Sequence, residues 1–172
     1  MTEDAIVVEE DKRLAETYLL FALDAEEYAV NVANVTEIVG IQKIMEVPDV
    51  PPFIKGVINL RGKIIPIMDV RLRFGFPERP YDDRTCIIVL DWEENTTGLA
   101  VDKVVEVVEI PPSDIAPPSH WESAKGKSVV MGMGKRGEQV SLILNIRELL
   151  YEKEVELSAP NTAGTGNETQ AA

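Results

Sequence analysis

A single cysteine, Cys86, and a single histidine, His120, stand in 172 residues. One of each cannot assemble a zinc site, and a lone cysteine cannot close a disulfide within the chain. The unpaired thiol fits a reducing compartment. No apolar run approaches the roughly 20 residues that a membrane-spanning helix needs. The N-terminus, MTEDAIVVEEDKR, lacks the basic–apolar–small layout of a secretory signal. A cytoplasmic protein with no direct membrane insertion is the expectation. Positive charge is also scarce: 17 Lys and Arg against 30 Asp and Glu give a net charge of −13. That balance argues against nucleic acid and anionic membrane as partners, since both select clustered cations. Part of the excess lies in Glu3, Asp4, Glu9, Glu10 and Asp11, within an arm over residues 1–15 expected to be flexible. The tail Ser158–Ala172, SAPNTAGTGNETQAA, has almost nothing to bury and is expected to be disordered.

Catalytic patterns are lacking as well. Gly132-Met-Gly134-Lys-Arg-Gly137 spells GxGxxG, but the residues that follow, Glu138–Leu144, read as a strand and not as the helix a dinucleotide site requires. Gly126-Lys127-Ser128 mimics the end of a P-loop, yet Trp121 occupies the place of its first glycine. No Asp-Thr-Gly or Asp-Ser-Gly is present, and no loop has calcium-ligand spacing. Neither an enzyme nor a cofactor is expected. A hydrolase would have to rest on carboxylates such as Asp69, Asp91 and Asp102.

What the chain does have is short β-type runs separated by turns. With 45% hydrophobic residues it can bury a core. The runs are Tyr18–Leu23, Tyr28–Val32, Val57–Leu60, Ile64–Met68, Thr85–Leu90, Leu99–Val101, Val104–Ile110, Val129–Met133 and Val140–Leu144. Such spacing predicts a barrel or a sandwich and not a βαβ sheet. Val32–Val39 fits a short helix or a strand. Asn145–Val155, NIRELLYEKEV, reads as a helix, with Asn145 as cap and Glu148 three residues later.

The most informative stretch is Pro51–Gly75. Ile54–Leu60 and Lys63–Met68 flank Arg61-Gly62, which predicts a β-hairpin with either a tight or a bulged turn. Pro66 has no N–H to donate, so its strand is expected to be an edge or to be bulged there. The hairpin lifts Arg61 to a loop tip, a shape suited to gripping another protein. Lys55, Lys63, Arg71 and Arg73 supply further positive charge nearby, and Glu37 is a plausible partner for Arg61.

An internal repeat runs through the chain. Leu23-Asp24 falls in a setting like Leu90-Asp91, 67 positions on; Val32–Val39 matches Val101–Val108 at an offset of 69, and Ile67-Met-Asp69-Val70-Arg71 matches Ile143-Leu-Asn145-Ile146-Arg147 at 76. Gly56 parallels Gly132, and Arg61-Gly62 parallels Arg136-Gly137. Two similar β-subdomains follow, divided near residues 18–82 and 83–150 within one domain over 16–157.

FIKGVINLRG followed by IPIMDVR, with YLLFALDAEEYAVNVANVTEIV, TCIIVL and VSLILNIRELL, resembles the CheW family of chemotaxis coupling proteins from about Tyr18 to Leu150. The resemblance implies a mainly β fold: two SH3-like five-stranded barrels packed together, with a groove at their junction and a short C-terminal helix. It implies a non-enzymatic adaptor joining the cytoplasmic tip of chemoreceptors to the regulatory domain of the histidine kinase CheA, monomeric when free and recruited to membrane receptor arrays. On the same ground Val35, Glu37, Gly56, Asn59, Arg61 and Ile64 are expected at the receptor, and Trp121 and Gly132 at the kinase.

Overall fold

The computed structural model describes residues 11–118 and 128–150. The strands are β1 (Thr17–Leu23), β2 (Glu26–Asn31), β3 (Val35–Gly40), β4 (Ile54–Leu60), β5 (Lys63–Asp69), β6 (Cys86–Trp92), β7 (Asn95–Val101), β8 (Lys103–Glu109), β9 (Ile115–Ala116), β10 (Val130–Arg136) and β11 (Gln139–Leu144). Two short helices, α1 (Val70–Arg73) and α2 (Ile146–Leu150), follow β5 and β11. Each apolar run of the sequence overlaps a strand, with Val32, Thr85, Ile110 and Val129 just beyond the strand ends. Val32–Val39 divides: Val32–Asn34 is a 3-10 turn, held by the Asn31 side chain accepting from the Ala33 N–H, and β3 follows it. The C-terminal helix starts where its cap places it, with Asn145 Oδ1 accepting from the Glu148 N–H at 3.2 Å. Its expected extension beyond Leu150 lies outside the described residues.

The strands form two sheets, in the orders β8-β1-β2-β11-β10-β9 and β3-β6-β7-β5-β4. The repeat explains both. Shifting β1, β2 and β3 by 69 residues gives β6, β7 and β8, and shifting β4 and β5 by 76 gives β10 and β11. Applied to the first sheet without β9, this exchange reproduces the second. The registers agree: Ile67 stands opposite Gly98 where Ile143 stands opposite Ala29, since 67 + 76 = 143 and 98 − 69 = 29. The bulge between Ile54 and Gly56 likewise recurs between Val130 and Gly132.

Three expectations are corrected here. The sheets do not divide at residue 82, because each half donates its first hairpin to the other's sheet: β1 and β2 join β10 and β11, while β6 and β7 join β4 and β5. The second hairpin turn is Gly137-Glu138, one residue beyond the expected Arg136-Gly137, so the position equivalent to Arg61 is Gly137. The strand of Pro66 is a third. β5 is neither an edge nor bulged at that residue; it lies between β4 and β7. Its pairing with β7 covers only Ile67–Asp69, so at Pro66 no neighbour on that side requires a donor.

Exchange of the hairpins buries β1 and β6 on both faces, which is why TYLLFAL and CIIVLDW are nearly continuous apolar runs. Leu19, Phe21 and Leu23 point with Ile88 and Leu90 into a shared central core, joined by Met68, Val70, Leu144 and Leu149. Tyr18 and Leu20 face the interior of the first barrel with Ala29 and Ile143. Ile87 and Val89 face that of the second with Ile58, Leu60 and Ile65. Arg73 ties the helices together, donating to the Leu149 and Glu148 carbonyls at 3.1 and 3.0 Å while lying over the Phe53 ring.

Candidate partner-binding surface

The β4–β5 hairpin turns at Arg61 and Gly62, with φ of +54° and +88°. Positive φ at both positions is the type I′ pattern, whose twist matches that of the flanking strands. Glycine takes it freely; Arg61 holds it because its neighbours anchor the turn. Asn59 Oδ1 accepts from the Gly62 N–H at 2.8 Å, and the Arg61 guanidinium pairs with Glu37 on the edge strand β3. Of the Arg61 side chain, 67% remains exposed. An ion pair that open adds little to stability, about 0–1 kcal/mol. Its effect is geometric. The pair bridges the mouth of the second barrel, where Thr36, Lys63, Asp91 and Thr96 rim a recess of about 230 Å³ floored by Leu60, Ile65 and Val89. The rim is itself bonded, with Lys63 Nζ donating to Thr96 Oγ1 and that hydroxyl donating to Asp91.

Beside the ion pair the outer face is apolar. Ile64, cross-strand from Asn59, is 59% exposed, and Met45 is 67% exposed. Together with Lys43, Val57 and Asn59 they line a shallow groove of about 330 Å³. Exposed apolar side chains gathered beside a polar rim mark an interaction surface. Sequence reasoning missed Met45, which lies outside any periodic run, although its backbone bridges to Val57. It also missed Ile38, 42% exposed, because alternation along β3 turns Glu37 toward the barrel mouth and Ile38 outward. The other barrel repeats the arrangement: Val107 (38 + 69) and Val140 (64 + 76) are 56% and 48% exposed.

The remaining expected contacts are placed differently. Gly56 is buried at φ +142°, and a Cβ there would stand 2.0 Å from the Met45 carbonyl oxygen. It holds the Met45 segment against β4. Gly132 is likewise buried, beneath Ile115 of β9. Val35 is half-buried against the central core. Trp121 lies outside the described residues. Arg61, Glu37, Asn59 and Ile64 therefore share one surface, Gly56 supports it from below, and Gly132 has the equivalent place in the other barrel.

The carboxylates open to a hydrolase reading each have a structural task. Asp69 caps α1 by accepting from the Leu72 N–H at 3.1 Å, and its other oxygen accepts from the Tyr81 hydroxyl at 2.7 Å. Burial, and then the bond to Asp69, push the Tyr81 hydroxyl well above its ordinary pKa. Asp102 takes Arg71 at 2.9 Å and Arg79 at 2.8 Å, and accepts from the Asp24 N–H at 2.7 Å. Arg71 also pairs with Asp24, whose carboxyl its hydrogen bond holds below the usual range. Asp24 belongs to the first sheet's β1–β2 turn, and α1 follows β5 of the second, so this network clamps the two barrels together.

Comparison with known proteins agrees with this architecture. The profile of the CheW-like domain family matches residues 17–154. The chemotaxis protein CheW of Klebsiella aerogenes is 33% identical over 144 residues, spanning 84% of this chain and 87% of that one. CheW of Bacillus subtilis is 37% identical over 103 residues, spanning 60% and 66%. The crystal structure of the scaffolding protein TtCheW from Thermoanaerobacter tengcongensis superimposes with a TM-score of 0.73 at 32% identity, covering 81% of this chain and 95% of that chain. With both barrels, the exchanged hairpins and the Arg61 turn all inside the matched region, the chain belongs to the CheW-like family.

Proposed function

We propose that this chain is a non-enzymatic adaptor that couples chemoreceptors to the histidine kinase CheA in bacterial chemotaxis. The observation that carries the reading is the family match over both barrels, with relatives named as chemotaxis and scaffolding proteins. The receptor's signalling tip takes the surface of Arg61, Glu37, Asn59 and Ile64, with Val35 at its margin, Met45 beside it and Gly56 setting its level. The kinase regulatory domain takes the other barrel, around the strand of Gly132 and the segment containing Trp121. The adaptor works in the cytoplasm, monomeric when free and gathered into receptor arrays through its partners. Such a protein acts by geometry: it changes kinase activity only by binding one kinase–receptor arrangement more tightly than another.

The test is calorimetric titration with a receptor signalling-tip fragment. Arg61→Asp reverses the charge against Glu37, and Ile64→Asp puts a charge on the apolar face. Each should weaken binding about tenfold or more, the scale of one lost well-placed contact, with circular dichroism unchanged. Val140→Asp, at the equivalent place of the other barrel, should leave receptor affinity unaltered. Affinities unchanged in both β4–β5 hairpin variants would remove this surface from the receptor site.

A further inference from the structure

Between the barrels lies a groove of about 320 Å³ that shares no residue with the Arg71 clamp. Ala15, Tyr18, Trp92, Met131, Ile143 and Ile146 give it an apolar lining, and Met131 is 54% exposed. Arg147, itself exposed, is the one charged residue among the described residues that line it. The chain as a whole carries a net charge of −13, so a surface whose one charge is positive suits an occupant that is apolar and acidic.

The N-terminal arm enters the fold at this groove. Ala15 lines it, and the arm's root is pinned there: Asn31 Nδ2 donates to the Ala15 carbonyl at 2.8 Å, and the Ile110 N–H donates to the Glu16 carbonyl at 2.8 Å. Residues 11–15 are helical, so Asp11 stands only about 6 Å along the axis from Ala15. Ahead of Asp11 the sequence reads Ala5-Ile6-Val7-Val8-Glu9-Glu10. Extended chain from Asp11 spans at most about 10 Å to Val8 and about 17 Å to Ile6, enough to lead back over the wall that Ala15 forms. The composition fits as well. Ala5–Val8 is the longest apolar run in the sequence outside residues 11–118 and 128–150, and the first ten residues hold Glu3, Asp4, Glu9 and Glu10 with no Lys or Arg. Beyond α2, by contrast, Tyr151, Val155 and Leu157 are single apolar residues set among charges.

We infer that the chain's own segment Ala5–Val8 docks in this groove, with its acidic flanks toward Arg147. The arm thereby covers an apolar junction in the free protein. A partner segment drawn to the same groove meets only the fraction of molecules whose arm is out, so the arm lowers that partner's apparent affinity. The inference does not depend on which receptor or kinase surface the β4–β5 hairpin engages.

The test uses the full chain with carbon-13 in its methionine methyl groups, the Met131 signal being assigned with Met131→Leu. Deleting residues 2–10 should move the Met131 signal and leave those of Met45 and Met68 in place. Ile6→Asp combined with Val8→Asp should reproduce the shift with the arm at full length, whereas Val7→Ile combined with Val8→Ile should leave the wild-type signal. A capped peptide of residues 2–10, added to the deleted chain up to about 10 mM, matches the millimolar concentration that a short tether supplies. It should return the signal saturably, and bind about threefold more weakly to the deleted chain carrying Arg147→Glu, the scale of one exposed ion pair. A Met131 signal that ignores the deletion or the paired Asp variant overturns the proposal, as does a shift that the peptide fails to reverse. If the wild-type signal moves instead with dilution, or with truncation after Leu150 and not with the arm deletion, a second copy or the C-terminal segment holds the groove and the arm assignment is overturned.

Discussion

Gly56 and Gly132 occupy equivalent places in the two barrels, and their replacement by alanine separates a packing role from a contact role. At Gly56 an added Cβ meets backbone: the Met45 carbonyl oxygen at 2.0 Å and its carbon at 2.8 Å. The residue also sits at φ +142°, which costs an L-residue about 1–3 kcal/mol. Relieving the clash pushes Met45 away from β4. That breaks the Met45 N–H to Val57 carbonyl bond at 2.8 Å and the reverse bond at 2.9 Å, each worth about 1 kcal/mol. The sum is about 4 kcal/mol, a large share of the roughly 5–15 kcal/mol that holds a domain together. At Gly132 the added Cβ meets the Ile115 Cγ2 methyl at 2.7 Å and the Ala116 carbonyl oxygen at 3.2 Å, so the backbone clash is far milder than at Gly56, and φ lies outside the left-handed region. Overpacking there should cost about 1–2 kcal/mol. Equilibrium urea denaturation, followed by circular dichroism, measures both. A Gly56→Ala loss no greater than that of Gly132→Ala would refute the argument.

The inter-barrel clamp should respond to Arg71→Met, which leaves Asp102 without its most buried partner. The loss should be about 2–3 kcal/mol by urea midpoint, below the usual range for a buried pair because Asp24 is exposed. Because Arg71 depresses the Asp24 carboxyl, wild-type stability gained from that pair is present above the ordinary value near 3.8 and lost as pH falls through the folded-state value; the acid limb should be shallower in Arg71→Met. Tyr81 has the opposite sign: its raised pKa contributes stability below the ordinary value of 10 that is lost as pH rises beyond it. Tyr81→Phe should cost about 1 kcal/mol at neutral pH and flatten the alkaline limb, and an unaltered alkaline limb would contradict it. Asn145→Ala, removing the α2 cap, should cost about 1 kcal/mol in the same assay.

The strands were legible because their apolar runs are long and their turns are marked by Gly, Asn and Asp. The repeat was legible as matches at slowly growing offsets from 67 to 76, whereas the strands repeat at two fixed offsets, 69 for β1 to β3 and 76 for β4 and β5, so the Leu23-Asp24 match to Leu90-Asp91 was two residues out of register. What periodicity could not show was the exchange of hairpins. Strand pairing across a crossover leaves no local mark, so a boundary near residue 82 looked natural when the sheets in fact interleave. Arg61 and Glu37 were legible as a charged pair, and the structure joins them. Gly56 and Gly132 were recognisable as special, but only packing distances show that their importance lies beneath the surface. Met45 and Ile38 escaped because exposure of an apolar side chain depends on which face the strand turns outward.

The coupling role itself is tested by CheA autophosphorylation, measured with and without a receptor signalling fragment while this chain is titrated in. The account predicts that kinase activity changes only when all three proteins are present, and that Arg61→Asp shifts the titration to higher concentration. Activity that stays flat across the titration, with matched partners from the same organism and the fold intact, would contradict it.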